Sequence, residues 1–186
     1  LEKVMGQVKK ATEIITHLRT FGRAAPATVT RVGLGDVIER SLSLIHEQLR
    51  LRQIQVEIGA VNGPEPVVIG NFIQLEQVFI NLATNARDAI ESAGRGDGQI
   101  WIKTRSAGDF AEVLFRDNGC GMDARSKQKV FNPFFTTKEV GKGMGLGMSI
   151  SYGILNKLHG SIVVESEVGK GAAFLIRIPR DFRELA

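Results

Sequence analysis

The sequence predicts an α+β fold. It reads as a two-layer α/β sandwich, with a mixed, mostly antiparallel sheet that carries its helices on one face, preceded by a bundle helix. Three observations predict it. Residues 75–90, LEQVFINLATNARDAI, repeat apolar side chains at helical spacing (Leu75, Val78, Phe79, Leu82, Ala86, Ala89), which makes one core-facing stripe. Residues 99–105 and 110–116 (QIWIKTR, FAEVLFR), then 161–167 and 172–178 (SIVVESE, AAFLIRI), read as two strand pairs around SAGD and VGKG. No glycine motif follows a first strand and opens a helix inside a βαβ unit, and GxxxxGK[ST] is absent, so neither a Rossmann domain nor a P-loop is expected.

The elements follow in order. In residues 1–21, Leu1, Val4, Val8, Ala11, Ile15 and Leu18 recur at intervals of 3, 4, 3, 4 and 3, a heptad seam that needs a partner helix. GRAAPA (22–27) breaks that pattern like a hinge, so residues 1–24 form one unit and 25–186 the other. TVTRV (28–32) reads as a short strand, and Leu34, Val37, Ile38, Ser41, Leu42, Ile45 and Leu49 as a helix. QIQVEI (53–58) alternates as a strand, NGPEP is a turn, and VVI (67–69) is another short strand. The helix over 72–91 closes at Ala93–Gly94, with Asn71 as its N-terminal cap. Residues 123–146 are mixed, contain Pro133 and a glycine-rich loop, and are expected to be largely mobile; a last helix is expected over 147–159.

Composition narrows the function classes. The 186 residues are 43% apolar and 24% charged, with a net charge of +4. That charge is too mild, and too poor in interleaved aromatics, for a nucleic-acid surface. Cys120 is the single cysteine, and His17, His46 and His159 are far apart, which excludes an internal disulfide and any zinc spacing. No apolar run is long enough to span a bilayer and no signal peptide is evident. Because the chain opens on Leu1, it reads as a piece of a longer protein. A cytoplasmic setting is expected for this piece, with membrane attachment possible through upstream segments.

Three features carry chemistry. Asn81, Asn85 and Asp88 share one polar edge beside the stripe of the 72–91 helix, where asparagine is a mediocre helix former. Such an edge is either solvated or a set of oxygen ligands suited to Mg²⁺. In DNGCGM (117–122), Asp117 ends a strand and offers a pure acceptor, while Gly119 and Gly121 allow close approach of a flat ligand; a tight Asp-initiated turn is the other reading. GKGMGLG (141–147) runs into a helix N-terminus, an arrangement that suits phosphates, with Lys142 and Lys138 adding charge.

In this order the motifs resemble the ATP-binding domain shared by sensor histidine kinases, gyrase-type topoisomerases and heat-shock chaperone ATPases, the histidine-kinase version above all. LEQVFINLATNARDAI, DNGCGM, NPFFTTK (132–138), GKGMGLGMSI (141–150) and HGSIVVESEVGKGAAFLIRIP (159–179) carry the resemblance, which covers about residues 28–180. It implies the cofactors ATP and Mg²⁺, with Asn81 and Asn85 as metal ligands. It implies that Asp117 accepts from the adenine amine in a pocket shaped by Gly119, Gly121 and Met122. Asp88, Lys138, Lys142, Gly143, Met144, Gly145, Leu146, Gly147 and Ala172 are implied at the nucleotide, while Phe134 and Phe135 pin a lid. Glu76 and Asn81 are the implied catalytic positions. The family's hydrolysing members carry a glutamate at the Asn81 position, so an amide there implies transfer rather than hydrolysis.

Residues 1–21 then resemble the second helix of a dimerisation hairpin. That implies a homodimer, a phosphoacceptor histidine on the missing first helix, and a response-regulator receiver domain as partner. His17, His46 and His159 do not resemble that acceptor. The chain departs from the family's pattern at Met144, at Ala172 and Ala173, where a threonine is common, and at Asn71. Two alternatives remain at this stage: a non-catalytic nucleotide- or partner-binding module, and a serine kinase of the anti-sigma type.

Overall fold

The computed structural model of the chain describes residues 28–181, apart from 62, 64, 95 and 139–142. The helix expected over 1–21, the hinge and the boundary after residue 24 lie outside the described residues. The chain runs β1 (Thr30–Gly33), α1 (Leu34–Arg50), β2 (Gln55–Ala60), β3 (Val67–Gly70), α2 (Phe72–Ala93), β4 (Gln99–Ala107) and β5 (Phe110–Asp117). It continues through α3 (Ala124–Lys129), α4 (Gly147–Lys157), β6 (Ser161–Ser166) and β7 (Ala172–Pro179).

Five strands form one sheet in the order β2-β4-β5-β7-β6. β2 and β4 are parallel and the other neighbours antiparallel; β4–β5 and β6–β7 are the two expected hairpins, and β5–β7 joins them. Alternation along each strand sends every second residue to the helix-covered face. Ile102, Phe115, Phe174 and Val164 therefore lie side by side across four strands. Thr104, Val113, Ile176 and Ile162 make the next row. On the opposite face Glu112 lies between Arg105 and Arg177 of the flanking strands, 2.7 and 2.9 Å from their Nε atoms, which accounts for its low exposure.

α1 and α2 lie against each other over the inner rows. α1 buries Leu34, Val37, Ile38, Ile45 and Leu49, and α2 buries Leu75, Val78, Phe79, Leu82, Ala83, Ala86 and Ile90. Ser41, fully buried on α1, donates to the carbonyls of Val37 (2.7 Å) and Glu76 (3.2 Å), so the polar atom in this contact is satisfied. Asn71 caps α2 by accepting from the Gln74 N–H at 3.0 Å, and Gly94, at φ 63°, ends it. Among the described residues no helix is long and apolar enough to cross a membrane.

The structure differs from the sequence reading in four places. The strand expected over 53–58 is found two residues later, at Gln55–Ala60, because Gln53 turns left-handed at φ 55°. β1 pairs with β3 in a separate two-stranded ribbon, because Thr30–Gly33 finds its antiparallel register along Val67–Gly70. The stretch expected to be mobile contains α3, started by Asp123, whose carboxylate accepts from the Ser126 N–H at 2.6 Å. α4 stops at Lys157, two residues early, because His159 turns left-handed at φ 53° to lead into β6.

Phe79 is 1% exposed at the centre of the α2 stripe. Phe79→Ala is expected to lower unfolding free energy by about 3–5 kcal/mol, read as a lower urea midpoint at unchanged slope.

Candidate active site

The inner row of the sheet holds one anomaly. Ala111, Val113 and Phe115 face the helices from β5, and the same alternation brings Asp117 into that face, beside Ile100 and Ala172. Its residue is 2% exposed. The carboxylate accepts from the Gly119 N–H at 2.8 Å. Burial raises its pKa from 3.8 to about 6, against the opposing pull of the Gly119 and Ala172 N–H groups and the Arg116 charge.

The loop after Asp117 fits only with glycines. Gly121 has φ 69°, and a Cβ there would lie 2.0 Å from the Glu167 carbonyl oxygen. At Gly119 a Cβ would lie 2.7 Å from the Ala89 backbone, because the loop rests on α2. The Cys120 N–H confirms that seat by donating to the Ala89 carbonyl at 3.0 Å. Met122 donates its N–H to Ser166 Oγ (2.8 Å), and the same hydroxyl donates to the Gly171 carbonyl (2.7 Å), so the loop, β6 and the start of β7 are clamped together.

From Ala89 the polar edge of α2 continues backwards. Asp88 accepts from Lys138 Nζ at 2.5 Å and from Arg87 Nε at 2.8 Å. Asn85 Oδ1 accepts from the same Lys138 Nζ at 3.3 Å. Asn81 donates through Nδ2 to the Gly147 carbonyl (2.9 Å) and to Ser151 Oγ (3.1 Å), which ties α2 to the first turn of α4. A Cβ at Gly147 would lie 3.4 Å from the Asn81 amide. Gly145, at φ 66°, would place one 2.4 Å from the Phe135 carbonyl oxygen. Met144 is half-buried, and Leu146 packs on the core just before α4. Phe134 is 74% exposed and left-handed at φ 64°, an unusual backbone for a bulky residue.

Most residues named from the sequence are thus strung along one helix, from Asp117 and its loop past Asp88 and Asn85 to Asn81 and the glycine box. Two are not. Lys142 lies outside the described residues. Glu76 is about 140° around α2 from Asn81, and its carboxylate pairs with Arg40 of α1 at 3.0 Å. The geometry gives it a helix-packing role. Arg87, Ser151, Ser166 and Gly171 were not found from the sequence. Serines and an arginine carry no local signal of such partners, but the Gly171 position in VGKG does: at φ 80°, a Cβ there would lie 2.0 Å from the Asp117 carbonyl oxygen.

The arrangement offers a buried anionic acceptor at one end, amide and carboxylate oxygens in the middle, and the N-terminus of an 11-residue helix at the other. The folded protein holds the Asp117 proton more tightly than the unfolded chain does. Its stability therefore falls as pH rises from about 4 to about 6 and stays lower above that. Asp117→Asn is expected to raise the melting temperature at pH 7.5, by up to about 3 kcal/mol of stability. Melting curves should show that gain vanish near pH 4.

Residues 70–181 match the family described as histidine kinase-, DNA gyrase B- and HSP90-like ATPase. Over 94% of its length the chain is 37% identical to the sensor kinase CckA of Brucella abortus, of which it covers 20%. It spans between a fifth and two fifths of the length of the curated relatives it matches. Among solved structures, the nucleotide-free catalytic domain of the histidine kinase ThkA has a TM-score of 0.71 at 29% identity, over 82% of this chain and 95% of that one. ThkA in complex with the response regulator protein TrrA gives 0.75 at 26% identity, over 96% of this chain and 49% of that one. The chain belongs to the histidine kinase-, DNA gyrase B- and HSP90-like ATPase family, as a catalytic domain of the sensor-histidine-kinase type.

Proposed function

We propose that this chain binds ATP with Mg²⁺ and donates the γ-phosphoryl group to a histidine on the dimerisation hairpin of its full-length protein, a two-component sensor kinase. The observation that carries this reading is Asp117, a carboxylate in an apolar row at one end of a polar helix edge. Its buried oxygens accept from the exocyclic amine of adenine, and this pairing selects the charged form. Gly119 and Gly121 let the base approach the backbone, with Met122 and Ala172 beside it. The backbone N–H groups of Gly119 and Ala172 compensate this burial only in part, so a ligand that brings a further donor is favoured there.

The remaining residues fit the triphosphate. Asn85 Oδ1 already accepts from a cation in this structure, so its oxygen suits Mg²⁺, with Asn81 one turn away on the same edge. Mg²⁺ and ATP, when bound, supply charge neutralisation on the phosphate oxygens and the transferable group itself. Gly143, Gly145 and Gly147 keep the backbone open to the phosphates at the start of α4, whose N-terminus favours anions. Leu146 gives that loop its apolar hold, half-buried Met144 lies within it, and Phe134 and Phe135 flank it at Gly145. Lys138 and Lys142 add positive charge. Asn81 is an amide and cannot take a proton from water, which disfavours hydrolysis and leaves positioning as the main contribution to transfer.

The heptad seam of residues 1–21 supports pairing of two copies through the hairpin. The complex of the related ThkA with a response regulator supports a receiver domain as the partner that takes the phosphoryl group onward.

Calorimetric titration with ATP, with and without Mg²⁺, tests the reading. One-site binding that strengthens with Mg²⁺ is expected, and absence of binding at millimolar ATP would overturn it. Asp117→Asn should weaken ATP by about 10- to 100-fold, the loss of a hydrogen bond to a charged group. Wild-type affinity should also fall as pH drops below about 6, because Asp117 is then neutral. Asn85→Ala should bind ATP almost equally with and without Mg²⁺ and should not phosphorylate the hairpin of the full-length protein.

A further inference from the structure

Lys138 belongs to the loop between α3 and α4, yet its ammonium reaches onto α2, 3.3 Å from Asn85 Oδ1 and 2.5 Å from Asp88 Oδ2. Its stem passes beside Gly143: a Cβ there would lie 3.1 Å from Lys138 Cδ. The Lys138 side chain is about one-third exposed and that of Asp88 one-fifth, so both are partly buried at this contact. Asp88 is also held by Arg87, whose Nη1 donates to Gln48 on α1. The cluster thus sets two cations against one carboxylate.

An ammonium and Mg²⁺ select the same partners here, a carbonyl oxygen and a carboxylate oxygen. We propose that Lys138 is a built-in substitute for the metal: in the nucleotide-free protein its ammonium holds the cation position on the Asn85–Asp88 edge, and it gives that position up to a divalent cation. This rests on the ATP reading above. On release, the ammonium passes from Asp88 to the incoming phosphate oxygens, so its charge stays compensated at both ends of the exchange. Arg87 remains on Asp88, and no unpaired carboxylate is left facing the triphosphate. Until then Lys138 keeps Asn85 Oδ1 turned toward the position the cation takes.

Two properties follow from this competition. Removing the ammonium should open the edge to metal even without nucleotide. It should also weaken metal-free ATP, which loses a phosphate partner, more than it weakens Mg²⁺-ATP, which no longer has a competitor.

The test compares wild type with Lys138→Met, which keeps the stem beside Gly143 and deletes the charge, and with Lys138→Arg, which keeps the charge. Lys138→Gln serves as the neutral variant if the methionine form does not fold. Mn²⁺ is titrated into the nucleotide-free proteins, and paramagnetic broadening of the Asn85 side-chain amide is followed by NMR. Lys138→Met is expected to broaden at several-fold lower Mn²⁺ than wild type, and Lys138→Arg near wild type. Equal broadening in wild type and Lys138→Met would overturn the proposal. In calorimetry, the ratio of ATP affinities with and without Mg²⁺ should be about 5- to 10-fold larger in Lys138→Met than in wild type. An unchanged or smaller ratio would also overturn it, and would leave the ATP reading standing if wild type binds. If wild type binds no ATP, the ATP reading fails by itself, and the Mn²⁺ titration still decides whether Lys138 holds the position.

Discussion

The arrangement of this domain depends on one constraint: a carboxylate placed where an antiparallel sheet puts its core. β5 sends Ala111, Val113 and Phe115 inward, and Asp117 follows them on the same face. An ionised group there loses its water, and this burial raises its pKa to about 6 in spite of the N–H groups and the Arg116 charge that oppose it. Much of the surrounding structure limits the cost. Backbone N–H groups of Gly119 and Ala172 point at the carboxylate, and the strand ends there, so no further core row has to be built around it. The contrast with Glu112 is instructive. That carboxylate is also poorly exposed, but it sits on the opposite face between Arg105 and Arg177, and its partners are part of the protein. Asp117 has backbone donors and no cationic side chain bonded to it among the described residues.

α2 couples this site to the core. One side of the helix carries Leu75, Val78, Phe79, Leu82 and Ala86 into the hydrophobic layer, and the other carries Asn81, Asn85 and Asp88. The same backbone also receives the loop after Asp117, at Ala89, and the start of α4, through Asn81. The spacing between the site's ends is therefore set by helix geometry, about 1.5 Å per residue along a rigid element. A site built this way is held by packing energy that the fold spends in any case. The cost falls on the loops, which must approach α2 and each other so closely that Gly119, Gly121, Gly145 and Gly171 admit no side chain.

Charge is arranged with the same economy. Asp88 lies between Arg87 and Lys138, and Asn85 shares the lysine. The middle of the edge is thus furnished with cations before any ligand arrives.

The sequence by itself determined the layer architecture, both hairpins, the capping of α2 by Asn71 and the order of the glycine motifs. These are local matters: periodicity of two or 3.6, turn chemistry and a cap three residues from its donor. It also named Asn81, Asn85, Asp88 and Asp117, because polar residues in apolar patterns stand out. Only the tertiary structure decided how they are used. Glu76 reads as a neighbour of Asn81 along the chain, but the helix turns it toward α1 and Arg40. The β1–β3 ribbon, the Ser166 clamp, the Ser151 contact and the reach of Lys138 to Asp88 join residues 5 to 70 positions apart. Pairings of that kind leave no periodic trace in the chain, because distance in space and distance in sequence are related only within an element, and these contacts run between elements.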